Sequence, residues 1–147
     1  DSSCLLHIGG GLSRRLDGFA ELMVTVAGPR RSTFGVDLGR DYMEWPGTTT
    51  SLGPTLSPRE LAASKVLALF GRVQPRDLAD VAALVEHFPL EDMLADAQVK
   101  DPGFSRPILA EMIRRVMVIP DGDWPEGVDV EAVRRFGAGL ADSLEKG

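Results

Sequence analysis

Hydrophobic and polar positions follow two patterns along the chain, with short β-favouring runs first and helical spacing afterwards. Residues 21–26 and 33–38 are rich in residues that favour strands. The segment between them contains Gly28 and Pro29, which are typical of a turn because they fix the backbone and remove a ladder donor. These runs predict a hairpin or part of a small antiparallel sheet. Residues 1–18 are glycine-rich and show no clear pattern.

From Ser57 onward the sequence predicts helices. Ser57 is a suitable N-cap, Pro58 suits the first helical position, and Glu60 stands at the third position of a capping box. Apolar residues at three- and four-residue spacing mark a second helix that Pro89 ends. The predicted helices cover residues 57–70, 75–88, 90–99, 106–117 and 129–144. Residues 45–54 and 120–127 are predicted to be loops.

This layout predicts an α+β protein in two parts. Residues 1–50 hold the small antiparallel β segment, and residues 51–147 form a bundle of about five helices. The length of 147 residues suits an ordinary hydrophobic core. We find no internal repeat and no low-complexity tract.

Charge and cysteine content narrow the class of protein. Sixteen Lys and Arg against 22 Asp and Glu give a net charge of −6, which argues against a generally basic nucleic-acid-binding surface but leaves room for a local one. The single cysteine, Cys4, excludes an internal disulfide framework and a zinc site of several cysteines. No segment has the composition of a membrane span or a signal peptide. The expected compartment is therefore the cytoplasm.

Lys65 is the first candidate for chemistry. On a helix its neighbours one turn away are Leu61, Ala62, Ala68 and Leu69, so the ammonium group stands in an apolar stripe. An unpaired charge is costly there. The side chain either extends along the apolar surface to reach water or meets an anion. If the lysine meets an anion, the functional interpretation is that this anion is a phosphate group.

Arg76, Asp77 and Asp80 form the second candidate group. Asp77 and Asp80 share a helix face, and Arg76 is placed to pair with Asp80. An ordinary charged helix start explains this pattern, since the helix dipole favours a carboxylate in the first turn. Two carboxylates one turn apart are also suited to bind Mg²⁺ or to hold a lysine.

Asp37 is the third candidate, because aspartate is rare inside strands. If Val36 and Leu38 face the core, the two-residue period of a strand places Asp37 on the opposite face. That face is either simply exposed to solvent, or it is a sheet surface on which the carboxylate binds a metal.

Taken in order, these motifs resemble the AbiEii-type nucleotidyltransferases, the toxins of type IV toxin–antitoxin systems. The most specific part is the helix with Lys65 in a Lys-x-x-Ala-Leu pattern, followed by Arg-Asp-x-x-Asp from Arg76 to Asp80. The Lys-Asp-Pro-Gly-Phe turn at residues 100–104 adds support. The resemblance covers roughly residues 20–118.

The resemblance implies a member of the polymerase-β-like nucleotidyltransferase superfamily, which transfers a nucleotide from NTP-Mg²⁺ to an acceptor. RNA, with tRNA as the expected form, is the implied acceptor, and a cognate antitoxin protein is an implied partner. By motif, Lys65 and Arg76 would meet the nucleotide phosphates. Asp80 would orient the site with Asp77 beside it, and Asp37 would be a metal carboxylate. Residues 1–50 would then be a partial nucleotidyltransferase core.

The sequence departs from the family pattern before Asp37. Where the family has Asp-x-Asp after a glycine turn, this chain has Glu21, Leu22 and Met23. We expect that the catalytic N-terminal segment is missing, that the chain is a fragment or a half that needs a partner, and that it is inactive alone. The opening residue, Asp1, agrees with this expectation.

Two other interpretations of the sequence remain. The chain is a non-catalytic helical interaction module that binds a protein partner, or it is a helical domain with no relation to the family. An upstream Asp-x-Asp segment in the parent gene would favour the enzyme over the interaction module.

Overall fold

The chain is divided by its contacts into two units, Asp1–Tyr42 and Met43–Gly147. A computed structural model describes residues 7–16, 19–27, 32–40, 42–51 and 53–146. The first unit contains a three-stranded sheet, and the second contains a short hairpin and five helices. The predicted α+β class and the number of helices are confirmed.

The sheet of the first unit is antiparallel, with the strands in chain order. Its strands are β1 (His7–Leu16), β2 (Phe19–Ala27) and β3 (Ser32–Gly39). The predicted hairpin corresponds to β2 and β3. The sequence did not predict β1, since its glycine run is unfavourable in a strand and only pairing with β2 compensates for it.

A second, smaller hairpin lies in the segment that was predicted to be a loop. It consists of β4 (Thr48–Thr50) and β5 (Gly53–Thr55), and the Thr50 hydroxyl donates to the carbonyl oxygen of Gly53 at 3.2 Å. Gly53 has a φ of 113°, which only glycine adopts without strain. The loop prediction for these residues is therefore wrong, because strands this short carry little periodic signal.

The helices of the second unit begin at or near the predicted residues. They are α1 (Pro58–Gly71), α2 (Pro75–Leu84), α3 (Leu90–Lys100), α4 (Arg106–Met117) and α5 (Val130–Lys146). Ser57 caps α1 by accepting the Glu60 N–H at 3.2 Å. The second helix ends four residues earlier than predicted, because the amides of His87 and Phe88 both turn back to the Leu84 carbonyl.

The hydrophobic core of the second unit lies among the five helices. Gly137 of α5 marks a close approach of α5 to its neighbours, since a Cβ there would lie 3.1 Å from Leu78 of α2 and 3.3 Å from Ile113 of α4. Trp124 is also buried in this core, and its indole N–H donates to the Ile119 carbonyl at 3.2 Å. No helix within the described ranges has the length and apolar composition needed to cross a lipid bilayer.

Candidate functional site: the Lys65–Asp80 pair and its supports

Lys65 and Asp80, which were singled out separately in the sequence, contact each other in the structure. The Lys65 ammonium on α1 donates to the Asp80 carboxylate on α2 at 2.6 Å. About a third of the Lys65 side chain (33%) and 41% of the Asp80 side chain are exposed. The cation that the sequence placed in an apolar stripe therefore meets an anion while it stays accessible to solvent.

The local sequence explains why these two side chains meet. Gly71 ends α1 and Pro75 begins α2, so only three residues connect the helices. Helices joined by so short a connection are neighbours. Lys65 precedes this connection by about as many residues as Asp80 follows it, which brings the two side chains to the same level.

Asp77 lies in a different environment from Asp80. Its carboxylate is completely buried, and its two oxygens accept hydrogen bonds from the Arg72 guanidinium at 2.9 and 3.0 Å. Arg72 is not among the residues that the sequence singled out. This fork-shaped pair ties the end of α1 to the first turn of α2, where the helix dipole also favours a carboxylate.

Arg76 is exposed at the start of α2 and borders a cavity of about 320 Å³ against the segment from Gly122 to Pro125. The alternative that Arg76 pairs with Asp80 does not occur, because Asp80 binds Lys65 instead. Within the part of the chain that the structure describes, Arg76 forms no ion pair.

Asp37 lies in the first unit, on β3, with its side chain exposed. It stands directly opposite Glu21 of β2, so both residues project from one face of the sheet. An exposed carboxylate supplies the oxygen donors that Mg²⁺ prefers, so Asp37 fits a metal-binding role by chemistry. Over the described ranges, no group of three or more His, Cys, Asp or Glu side chains is arranged to hold a metal ion.

Glu60 is the residue that sequence reasoning explained incompletely. The capping-box prediction gave it a local role, but its buried carboxylate binds the Lys100 ammonium at the end of α3. The other oxygen accepts the backbone N–H groups of Glu44 and Trp45 at 3.1 Å each. Lys100 also donates to the Ser64 hydroxyl at 3.1 Å. We call Glu60, Lys100 and Ser64 the buried clamp.

The buried clamp changes the acidity of Glu60. Burial by itself raises the pKa of this carboxyl group, but the hydrogen bond and charge of Lys100, together with the amides of Trp45 and Glu44, outweigh burial and bring the pKa below its ordinary value. Glu60 is therefore a carboxylate at neutral pH. The only sequence signal for its partner was Lys100 in the Lys-Asp-Pro-Gly-Phe motif.

Arg59 of α1 forms a second set of contacts with the segment that contains Trp45 and with α3. The Arg59 guanidinium lies 4.2 Å from the centre of the Trp45 ring and binds the Asp96 carboxylate of α3 through two hydrogen bonds of 2.6 and 2.7 Å. The helix that carries Lys65 is thus connected to α3 and to residues 44–45 by several polar contacts.

Comparison with solved structures identifies the class of fold. A crystal structure of a candidate nucleotidyltransferase from H. pylori matches with a TM-score of 0.60 and 17% sequence identity. The crystal structure of JHP933 from Helicobacter pylori matches with a TM-score of 0.59 and 15% identity. Each covers 96% of this chain, which spans 67% and 64% of their respective lengths. The chain therefore shares the fold of these two proteins.

The particular family follows from the sequence. The family model for "Nucleotidyl transferase AbiEii toxin, Type IV TA system" matches residues 26–127, which is more than half of the chain. The chain therefore belongs to the AbiEii nucleotidyltransferase toxin family. The matched range includes Asp37, Lys65 and Asp80. No curated protein matches the chain.

Proposed function

We propose that this protein carries out nucleotidyl transfer from NTP-Mg²⁺ to RNA, with tRNA as the expected acceptor, as a toxin or as the C-terminal portion of one. The observation that carries the proposal is the partly exposed pair of Lys65 and Asp80. Family membership supports it. In this proposal, residues 1–50 belong to the nucleotidyltransferase core and residues 51–147 form the helical domain.

Lys65 is the proposed contact for the nucleotide phosphates. An ammonium group has three donors, and Asp80 accepts one of them at 2.6 Å. The remaining donors are available to phosphate oxygens, on which negative charge changes during nucleotidyl transfer. Asp80 would orient the lysine, and Arg76 at the start of α2 would supply a second cation.

Asp37 is the proposed metal ligand of this chain. When bound, Mg²⁺ would supply positive charge next to the triphosphate. The contribution of Asp37 is an exposed carboxylate held on a strand, on the same sheet face as Glu21. The proposed role of Asp77 is to stand beside Asp80, and its buried pair with Arg72 supports a positioning role.

The proposed partners follow from charge and family. A net charge of −6 makes broad electrostatic attraction to RNA unfavourable, so RNA would be held by local arginines such as Arg76. Membership in a toxin–antitoxin family suggests a cognate antitoxin. The proposed location is the cytoplasm, where NTP and tRNA are present.

The test is incorporation of label from NTPs into total tRNA with Mg²⁺, using the complete gene product that contains this chain. Lys65→Ala is expected to abolish incorporation while the protein stays folded. Lys146→Ala is the matched control, since it removes a lysine from the exposed end of α5. Full activity of Lys65→Ala would contradict the assignment, and loss of folding would give Lys65 a structural role.

A second candidate is a non-catalytic helical module that binds a protein partner. The observation that favours it is the sequence Glu21-Leu22-Met23, where the family pattern has Asp-x-Asp. The same assay separates the two candidates. A complete gene product that incorporates no label but binds a partner protein would favour the interaction module.

A further inference from the structure

Apolar residues occur on every side of α1, although those that are buried lie on one face of the helix. Positions 61, 62, 63 and 66–70 are all apolar, and at about 100° per residue they surround the helix. Two of the buried residues, Ala62 and Ala63, are small and offer little side chain to interlock. Val66 and Leu69 are fully buried on the same side, so apolar packing sets the approximate rotation of α1 about its axis, and other contacts can constrain it further.

Polar contacts on two sides of α1 add a further constraint on that rotation. Glu60 and Ser64 are one turn apart and both contact Lys100 of α3. Lys65 lies about 140° around the helix from Glu60 and contacts Asp80 of α2. The buried clamp thus holds one side of the helix, and the candidate site lies on another.

The charged groups of the buried clamp lose favourable interactions with water when the two helices pack together. The side chains of Glu60 and Lys100 are only 1% and 9% exposed, so both charges are removed from water. Replacing such a pair with packed apolar groups is often neutral or stabilising, and the best-attested use of buried polar groups is to fix register. A role in orientation therefore explains the clamp better than a role in stability.

We propose that Glu60 is a positioning residue for nucleotidyl transfer and acts, together with Lys100, by fixing the rotation of α1 that presents Lys65. This inference rests on the function proposed above. A rotation of roughly ten degrees moves a group at the helix surface by about 1 Å. A displacement of about 1 Å at a reacting site is enough to lower a rate about 100-fold.

The test uses the double variant Glu60→Gln with Lys100→Met in the complete gene product. The glutamine side chain keeps an oxygen for the amides of Glu44 and Trp45 and removes the charge, while the methionine side chain fills the space of the lysine stem. The expected result is a kcat about 100-fold lower, a KM for NTP within about threefold of wild type, and an unchanged melting temperature. A merely structural role would lower the melting temperature and leave kcat of the folded protein unchanged.

Two further variants keep the test decisive. Glu91→Gln with Arg106→Gln removes an exposed ion pair between α3 and α4 and is expected to leave kcat unchanged. Ser64→Ala removes only the hydrogen bond from Lys100, so we expect it to fold and to lower kcat by a smaller factor than the double variant does. Wild-type kcat in the folded clamp variants would overturn the positioning role alone. Absence of transfer by the wild-type protein would overturn the proposed function and this inference together.

Discussion

At the scale of single residues, the second unit contains buried carboxylates in which both oxygens accept hydrogen bonds. Glu60 uses both oxygens, one for Lys100 and one for two backbone amides. Asp77 uses both oxygens for Arg72. Removing Lys100 would take the bound cation away from the buried Glu60 carboxylate, and removing Arg72 would do the same to the buried Asp77 carboxylate.

Glu60→Gln is expected to lower the free energy of unfolding at pH 7 by about 3–5 kcal/mol, because it removes the negative charge that is bound to the buried Lys100 ammonium. Urea denaturation at pH 7 measures this value. The control is Glu126→Gln, which changes an exposed glutamate. Equal denaturation midpoints for the two variants would show that the clamp contributes no stability.

The effect of Glu60→Gln on the free energy of unfolding is expected to depend on pH. Folding lowers the pKa of Glu60 below its ordinary value of 4.5, so the carboxylate stabilises the fold above that pH. This contribution is lost as the pH falls through the lower pKa of the folded state. The difference in unfolding free energy between wild type and Glu60→Gln is therefore expected to narrow on acidification below about pH 4.5. A difference that stays constant would contradict the pKa shift.

Asp77→Ala is expected to lower the free energy of unfolding by roughly 1–3 kcal/mol, since it removes two charge-assisted hydrogen bonds from Arg72. Thermal unfolding and the transfer assay, run on the same samples, separate its two possible roles. Normal stability with no transfer would place Asp77 in the chemistry rather than in the connection between α1 and α2.

At the scale of elements, α5 contains two glycines in opposite environments. A Cβ at Gly137 would lie 3.1–3.3 Å from atoms of Leu78, Ile113 and Met117, while a Cβ at Gly139 would meet nothing within 4 Å. The first glycine permits close helix packing, and the second only weakens helix propensity. The two positions form a matched pair within one helix.

Gly139→Ala is expected to stabilise the protein by up to about 1 kcal/mol through helix propensity. Gly137→Ala gains the same propensity but crowds two neighbouring helices, so we expect a net loss of about 1 kcal/mol. Chemical denaturation of both variants measures the difference. Equal stabilisation by both would show that the side chains around Gly137 move aside at little cost.

Which elements could be predicted depended on how local their signals are. The start of α1 follows from Ser57 and Pro58, and the start of α2 follows from Pro75, because these residues act on the adjacent backbone. By contrast, β1 contains a glycine run and exists through pairing with β2, and β4 and β5 have only three residues each. Pairing between segments leaves no periodic signal that a short window can detect.

The candidate site shows the same limit. Lys65 stood out because a charge in an apolar stripe is a local anomaly, and Asp80 followed from a motif close by in sequence. The partner of Glu60 is 40 residues away, so helical spacing gave no indication of it. The pairing of Arg72 with Asp77 bridges two helices, and helix periodicity does not extend across their connection.

At the scale of the whole molecule, a small sheet carries Asp37 and a helical unit carries Lys65 and Asp80. All three residues lie within the range matched by the AbiEii family model. The solved structures that match are longer than this chain, which covers 64% and 67% of them.

Nucleotide binding is expected to stabilise the protein as a whole. A ligand that binds only the folded state at 100 times its Kd adds about 2.7 kcal/mol. We expect NTP-Mg²⁺ to raise the melting temperature of wild type and of Lys146→Ala, and to raise that of Lys65→Ala much less. An equal rise in all three proteins would show that Lys65 does not contact the nucleotide.

The most direct measurement of the proposed transfer is the mass of the acceptor after reaction. Purified tRNA is incubated with the complete gene product, Mg²⁺ and each NTP in turn, and the molecular mass of the RNA is measured by mass spectrometry. With at least one NTP, we expect the mass of the tRNA to increase by one or more nucleoside monophosphates. Lys65→Ala is expected to abolish this increase, and Lys146→Ala is expected to retain it. An unchanged tRNA mass with all four NTPs, or a gain that survives Lys65→Ala, would contradict the proposal.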